Sequence, residues 1–227
     1  GYTALIVAAG DGNYNIAHIL IKRGANLDIQ GNNGETALIA AIEGGYGNIA
    51  NILIQGGANL DIQDDLNDTA LIMAALMNQE NIARILIQGG ANLDLQDNDG
   101  DTALIVAADN GGYNIANILI QGGANLNIQN NHNNTALIAA ARNDHENIIR
   151  ILIDSGRANL NIINNEGYNA LEEAERNGNQ EIANIIDHYQ VLRARQRLQL
   201  ARVFNTISDL REFQLAQTVS ESLPNNP

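Results

Sequence analysis

The side chains of this protein that are able to do chemistry are few, and their spacing argues against most of what they could do. The four histidines are His18, His132, His145 and His188, and none has a partner at the separation of a metal-ligand pair. Surface imidazoles are the plain expectation. Asp97-Asn98-Asp99-Gly100-Asp101 has the composition of a calcium loop, but its Gly falls at the wrong step and no Glu follows at the twelfth position. No nucleophile elbow, phosphate-binding loop or pair of catalytic carboxylates stands out. Cysteine is absent, so there is neither a disulfide framework nor a thiolate ligand. The expectation is a protein without catalytic residues, cofactor or metal. Asn67-Asp68-Thr69 and Asn133-Asn134-Thr135 match the glycosylation sequon, but both Asn residues stand at a turn position described below, and that structural role is preferred.

The elements that hold these residues repeat. Thr-Ala-Leu begins at Thr3, Thr36, Thr69, Thr102 and Thr135, and Asn-Ala-Leu at Asn169. The period is about 33 residues, the mark of stacked repeats. Within Gly100–Gln129, Thr102 is placed to cap a short helix over 103–108. Gly111 and Gly112 end it, Asn114 is read as the cap of a second helix, and Ile115, Ile118, Leu119 and Ile120 give that helix an apolar stripe. Gly122 and Gly123 stop it, and 125–133 form a polar, hairpin-like return. Two residues before each Thr or its equivalent stand Gly1, Gly34, Asn67, Gly100, Asn133 and Gly167. Gly and Asn tolerate positive φ best, so a left-handed turn is expected there.

Helices of this length are too short to stand alone in water, so stacking must stabilise them. Leu5, Leu38, Leu71, Leu104, Leu137 and Leu171 should form one buried ladder. Ile16, Ile49, Ile82, Ile115, Ile148 and Ile182 should form a second. Each buried side chain contributes roughly 1.5–3 kcal/mol.

The pattern G-x-T-A-L-I-x-A-A-x-x-G followed by N-I-A-x-I-L-I-x-x-G-A-N-L-D resembles the ankyrin repeat, over residues 1–187 and in six units. Where that family usually has Pro after the Thr and His after the Leu, this chain has residues such as Ala37 and Ile39, which removes a favourable first helical residue and a polar Thr–His contact. The resemblance implies an all-α solenoid that binds another protein in a groove, without enzymatic activity. It also permits hydroxylation of Asn127 or Asn161. Carried over residue by residue, it places Asn32, Asn33, Glu35, Glu43 and Gly44 in the groove, then Asp65, Leu66, Asp68, Leu76 and Met77. The next units offer Asn98, Asp99, Asp101, Asp109 and Asn110, then Asn131, His132, Asn134, Arg142 and Asn143. Leu66, Leu76 and Met77 are an apolar group among polar and acidic positions, the anatomy of an interface centre with a charged rim.

Net charge is −14. Residues 1–187 carry seven basic and 23 acidic side chains, and the remainder five arginines and three acids. An acidic array repels phosphate, so a basic or apolar protein surface is the expected partner and nucleic acid is not. A monomer is expected, within a cell or delivered into one. Residues 188–220 read as a helical extension or cap of two helices, the second beginning near Ser208, and 221–227 as a frayed end. Leu198, Phe204, Ile207 and Phe213 are expected to pack on the last unit. Arg193, Arg195, Arg197 and Arg202 would snorkel toward Glu172, Glu173 and Glu175, the alternative being contact with an anionic surface. The first unit lacks a polar cap, so an upstream segment is expected. A second functional reading is an adaptor or secreted effector, whose array selects a target for an activity carried by the C-terminal segment or by such an upstream region.

Overall fold

The computed structural model describes residues 1–222, with side chains described as far as Arg202. Among the described residues there are twelve helices and no strand. In chain order they are α1 (Ala4–Gly10), α2 (Tyr14–Lys22), α3 (Ala37–Glu43), α4 (Gly47–Gln55), α5 (Ala70–Leu76), α6 (Glu80–Gln88), α7 (Ala103–Asp109), α8 (Tyr113–Gly122), α9 (Ala136–Arg142), α10 (Glu146–Asp154), α11 (Ala170–Arg176) and α12 (Gln180–Ser222). They form an all-α helical repeat solenoid that ends in a long C-terminal helix. Contacts divide the chain into two compact units, residues 1–184 and residues 185 onward.

In the first unit the odd-numbered helices pack in sequence, α1 on α3, α3 on α5, α5 on α7, α7 on α9 and α9 on α11. The even-numbered helices from α2 to α10 form a parallel second layer. Each short helix starts the same way. The Thr3, Thr36, Thr69, Thr102 and Thr135 hydroxyls accept the backbone N–H three residues on, which satisfies one of the free donors of the first turn. Asn169 does so in α11 and adds a reciprocal bond, its own N–H donating to Glu172, a complete capping box.

The second helix of each pair starts differently from the expectation at Asn114. Helix α8 begins at Tyr113, and neither it nor α2, α4, α6 or α10 has a side-chain cap. Backbone bonds close the preceding turn instead, Gly112 N–H donating to Ala107 and Tyr113 N–H to Gly111, both at 2.8 Å. Positive φ occurs where the Gly/Asn alternation placed it, at Gly34, Asn67, Gly100, Asn133 and Gly167.

The polar returns are not paired strands. They are stapled to one another by side chains at repeat spacing. Gln30, Gln63, Gln96 and Gln129 each donate to a carbonyl in their own turn and to one about 33 residues on. Asp28, Asp61, Asp94 and Asn127 each accept a backbone N–H from the following return. Polar residues here do the work that apolar ladders do in the core.

The core ladders form with two corrections, both at the ends of the first unit. Leu38, Leu71, Leu104 and Leu137, and Ile49, Ile82, Ile115 and Ile148, are buried, but Ile16 is 52% exposed and Leu171 is only half-buried. Each rung is covered by the neighbouring repeat, as where Ile82 lies against Gly47. Among the described residues, α2 packs within its layer on α4 alone, which leaves Ile16 uncovered. Glu173, one of the acids expected to meet the arginines of the extension, is 1% exposed and lies 3.7 Å from Arg176. Arg176 in turn holds Glu166 at 2.6 Å and sits over the Tyr168 ring.

The second unit is helix throughout its described residues. Residues 188–220 do not divide into two helices, because Gln180–Ser222 is continuous. No Gly or Pro interrupts it, and Ser208 lies in its interior. Leu198 is exposed. Phe204, Ile207 and Phe213 lie outside the described side chains, and residues 223–227 lie outside the described residues. No helix among the described residues is long and apolar enough to cross a membrane.

Candidate interaction surface

The threonine that caps each short helix also positions the residue before it. That residue follows the left-handed turn, so repetition places Glu35, Asp68, Asp101 and Asn134 at one step of four successive repeats. The turns that carry them bond from repeat to repeat. The N–H of Asp65 donates to Asn33, that of Asn98 to Leu66, that of Asn131 to Asp99 and that of Asn165 to His132, at 2.9–3.0 Å. Inside each turn a carboxylate or amide takes two backbone N–H groups. Asp64 accepts from Leu66 and Asp68, and Asp97 from Asp99 and Asp101. This is a turn-building role for Asp64 and Asp97.

Between the third and fourth pairs these residues enclose an open cleft of about 280 Å³. Its walls are Asp68, Asp97, Asp99 and Asp101 from the returns, and Leu76, Asp109 and Asn110 from the helix ends, with Ile72 and Val106 as the apolar lining between them. Of the expected groove residues, the fold therefore brings together Asp68, Leu76, Asp99, Asp101, Asp109 and Asn110. Leu66 and Met77, exposed by 63% and 43%, stand in the same repeat but outside the cleft lining, Leu66 on the return and Met77 at the end of α5. Asp65, Glu43 and His132 are exposed elsewhere on the returns and helix ends. Arg142 is exposed and lies 3.6 Å from Asp109, whose carboxylate also accepts from Asn143 at 2.7 Å. Glu35 and Asp68 are buried, at 9% and 8% exposure, where the repeat pattern alone had counted them as rim.

Crowded carboxylates at partial burial resist ionisation. Burial pushes the Asp68 carboxyl up to about 6, helped by the charges of Asp64, Asp97 and Asp99. Burial also raises Asp101, against a hydrogen bond from Asn130 that lowers it. Glu35 is raised by burial, opposed by Asn33. Asp97 was missed as a cleft residue. The signal was its recurrence with Asp64, which 33-residue bookkeeping shows but which says nothing of the direction in which a side chain points.

The sequon residues Asn67 and Asn133 have φ of 60° and 58°, so their conformation serves the turn. Asn127 uses both ends of its amide, accepting from Asn159 and donating to Arg157.

A search of curated proteins finds no match. The family model described as ankyrin repeats in three copies matches residues 1–64, 48–130 and 122–192. Such repeats are general protein–protein interaction modules, typically without enzymatic activity. With helix pairs, left-handed turns and stapled returns at the same period, this chain belongs to the ankyrin-repeat family.

Proposed function

We propose that the chain is a non-enzymatic scaffold that binds a protein partner on the groove face formed by the returns and the ends of the short helices. The supporting observation is the cleft between α5 and α7, where half-exposed Leu76 faces a wall of carboxylates. Desolvated apolar centres with charged rims are the usual anatomy of an interface. Leu66 and Met77 extend the apolar centre. Glu35, Glu43, Asp65, Asp68, Asp99, Asp101 and Asp109 supply the acidic surround, with His132 and Arg142 at its far side. The partner presents a basic or apolar surface. Affinity capture from a cell extract, with wild type and with the Leu66→Asp/Met77→Asp and Leu76→Asp variants, tests this. Specific capture by wild type and its loss in the variants, at unchanged melting temperature, is the expected result. Wild-type capture by all variants would place the binding surface elsewhere.

A second reading, an adaptor or effector in which the array selects a target for an activity carried elsewhere, draws support from the separate compact unit from residue 185 onward, with its arginines at 193, 195, 197 and 202. Capture by the array and by the helical segment of different protein sets would favour it.

A further inference from the structure

An Asn-Gly step is where a peptide chain most readily modifies itself. The Gly nitrogen attacks the Asn side-chain carbon Cγ, a five-membered imide closes and the side-chain amide is lost. A residue without Cβ offers that approach no steric resistance. The chain has three such steps, Asn33-Gly34, Asn110-Gly111 and Asn177-Gly178. Their sequence ranks them equally, and their hydrogen bonds do not.

Ring closure requires that the side-chain amide swing and that the peptide plane between the two residues turn. At Asn33 both are held. Its Nδ2 donates to Glu35 at 3.4 Å, and its Oδ1 accepts from the Tyr2 hydroxyl at 3.3 Å. Its carbonyl accepts the Asp65 N–H at 3.0 Å, and the Gly34 N–H donates to Gly31 at 3.2 Å. At Asn177 the Nδ2 donates to the Arg142 carbonyl at 3.3 Å, and the Gly178 N–H donates to Glu175 at 3.0 Å.

Asn110 differs on every count. Among the described residues its side-chain amide, its carbonyl and the Gly111 N–H make no hydrogen bond. The chain on either side is anchored, the Asn110 N–H to Val106 at 3.1 Å and the Gly112 N–H to Ala107 at 2.8 Å. The plane between residues 110 and 111 therefore turns as a crank between fixed neighbours. It has to turn, since ψ at Asn110 is −1°, and Gly111, at φ 73°, compensates on either side of zero at low cost. Both residues are exposed, so water reaches them. A Cβ on Gly111 would meet the His145 ring at 2.7 Å, so the packing holds this step to Gly and leaves the attacking nitrogen unhindered.

We propose that Asn110 is a modification site, which the folded chain converts to aspartate and isoaspartate ahead of its other Asn-Gly steps. The Gly111 nitrogen bonds to Cγ, the Cγ–Nδ2 bond breaks, and Nδ2 leaves as ammonia with the proton that Gly111 gives up. Water then opens the imide. Attack at Cγ leaves aspartate and attack at the main-chain carbonyl leaves isoaspartate, with one carboxylate gained either way. Water is the only co-reactant. The new charge stands at the C-terminal end of α7, where it opposes the helix dipole. It also enters a cleft lining that already holds Asp97, Asp99, Asp101 and Asp109, and like charges at close range repel. The array loses stability as the conversion proceeds.

The test incubates the full chain at mildly alkaline pH, folded and unfolded in guanidinium chloride, and maps samples over time by mass spectrometry after cleavage at arginine. That cleavage puts Asn33, Asn110 and Asn177 in different peptides. In the folded chain, conversion at Asn110 should run several-fold faster than at the other two. In guanidinium the three rates should converge, because the fold sets the ranking. Asn110→Gln should remove the earliest acidic species and leave the slower ones. Asn110→Asp, the aspartate product made directly, should melt below wild type. Conversion at Asn33 or Asn177 as fast as at Asn110 in the folded chain overturns the proposal. So does a folded chain that keeps Asn110 intact while the unfolded chain converts it. An Asn110→Asp chain that melts with wild type overturns the loss of stability.

Discussion

Asp68→Asn should make the protein more stable at neutral pH, and the gain should depend on pH in a direction fixed by the cleft. The folded-state carboxyl ionises near 6 against an ordinary 3.8, a displacement of about two units at about 1.36 kcal/mol each. That sets an upper limit near 3 kcal/mol for the cost of carrying the charge in the native state. The carboxylate lines an open cleft, so water and salt screen part of it, and about 1–2 kcal/mol is the working figure. Because the native value is raised, the native state holds its proton more tightly than the unfolded chain. The associated stability is fully present below about pH 4 and is lost as pH rises through about 6. The variant minus wild-type difference should therefore be small near pH 4 and complete by about pH 7.5. Asn is sterically acceptable at this step, since Asn134 occupies it one unit beyond Asp101. The bonds from Asp64 to the residue 68 N–H and the Thr69 cap do not involve the altered carboxylate. Urea denaturation followed by circular dichroism at the two pH values measures the difference. A variant less stable than wild type at about pH 7.5, or a difference that does not change with pH, would refute the argument. The same change should weaken binding of a partner with a basic surface, so stability and function would trade against each other.

Three further outcomes are expected. Asn133→Gly should be neutral or stabilising, and Asn133→Val should cost about 1 kcal/mol or more, because the residue sits at φ 58° and a β-branched side chain resists that region; equal melting of the two would remove the argument. Gln63→Ala deletes bonds to the Asn67 and Gln96 carbonyls and should cost roughly 1–2 kcal/mol in urea denaturation, whereas a surface substitution elsewhere should cost less than about 0.5. Glu43→Lys with Asp109→Lys should slow association with the captured partner and flatten its salt dependence, read by stopped-flow at several ionic strengths, and unchanged rates would show that this rim does not steer the encounter.

Much of the architecture is legible in the residues themselves, because it is built from local chemistry repeated at a fixed period. Thr102 caps its helix by reaching three residues along the chain. Asn67 and Gly100 both take positive φ at the same step, and only residue types that tolerate that region appear there. Ala-Leu-Ile runs too short to fold alone imply neighbours. An all-α stack follows from these facts without coordinates.

What required the tertiary structure is whatever depends on a neighbour being present or on two repeats meeting. Ile16 has the same local sequence context as Ile49, yet one is exposed and the other buried, since burial depends on which described helices pack around a residue and not on its own sequence. Glu173 belongs to the acidic run Leu-Glu-Glu-Ala-Glu-Arg, yet it is enclosed beside Arg176. The glutamine and aspartate staples join carbonyls and amides some 33 residues apart, and a repeated Gln63 or Asp61 does not reveal in sequence which partner it reaches. The cleft is assembled from Asp68 and Leu76 on one pair and Asp97, Asp99, Asp101 and Asp109 on the next. Composition counts those charges. Their distance from one another, their burial and the resulting rise at Asp68 exist only after stacking has excluded water from one side of each carboxylate.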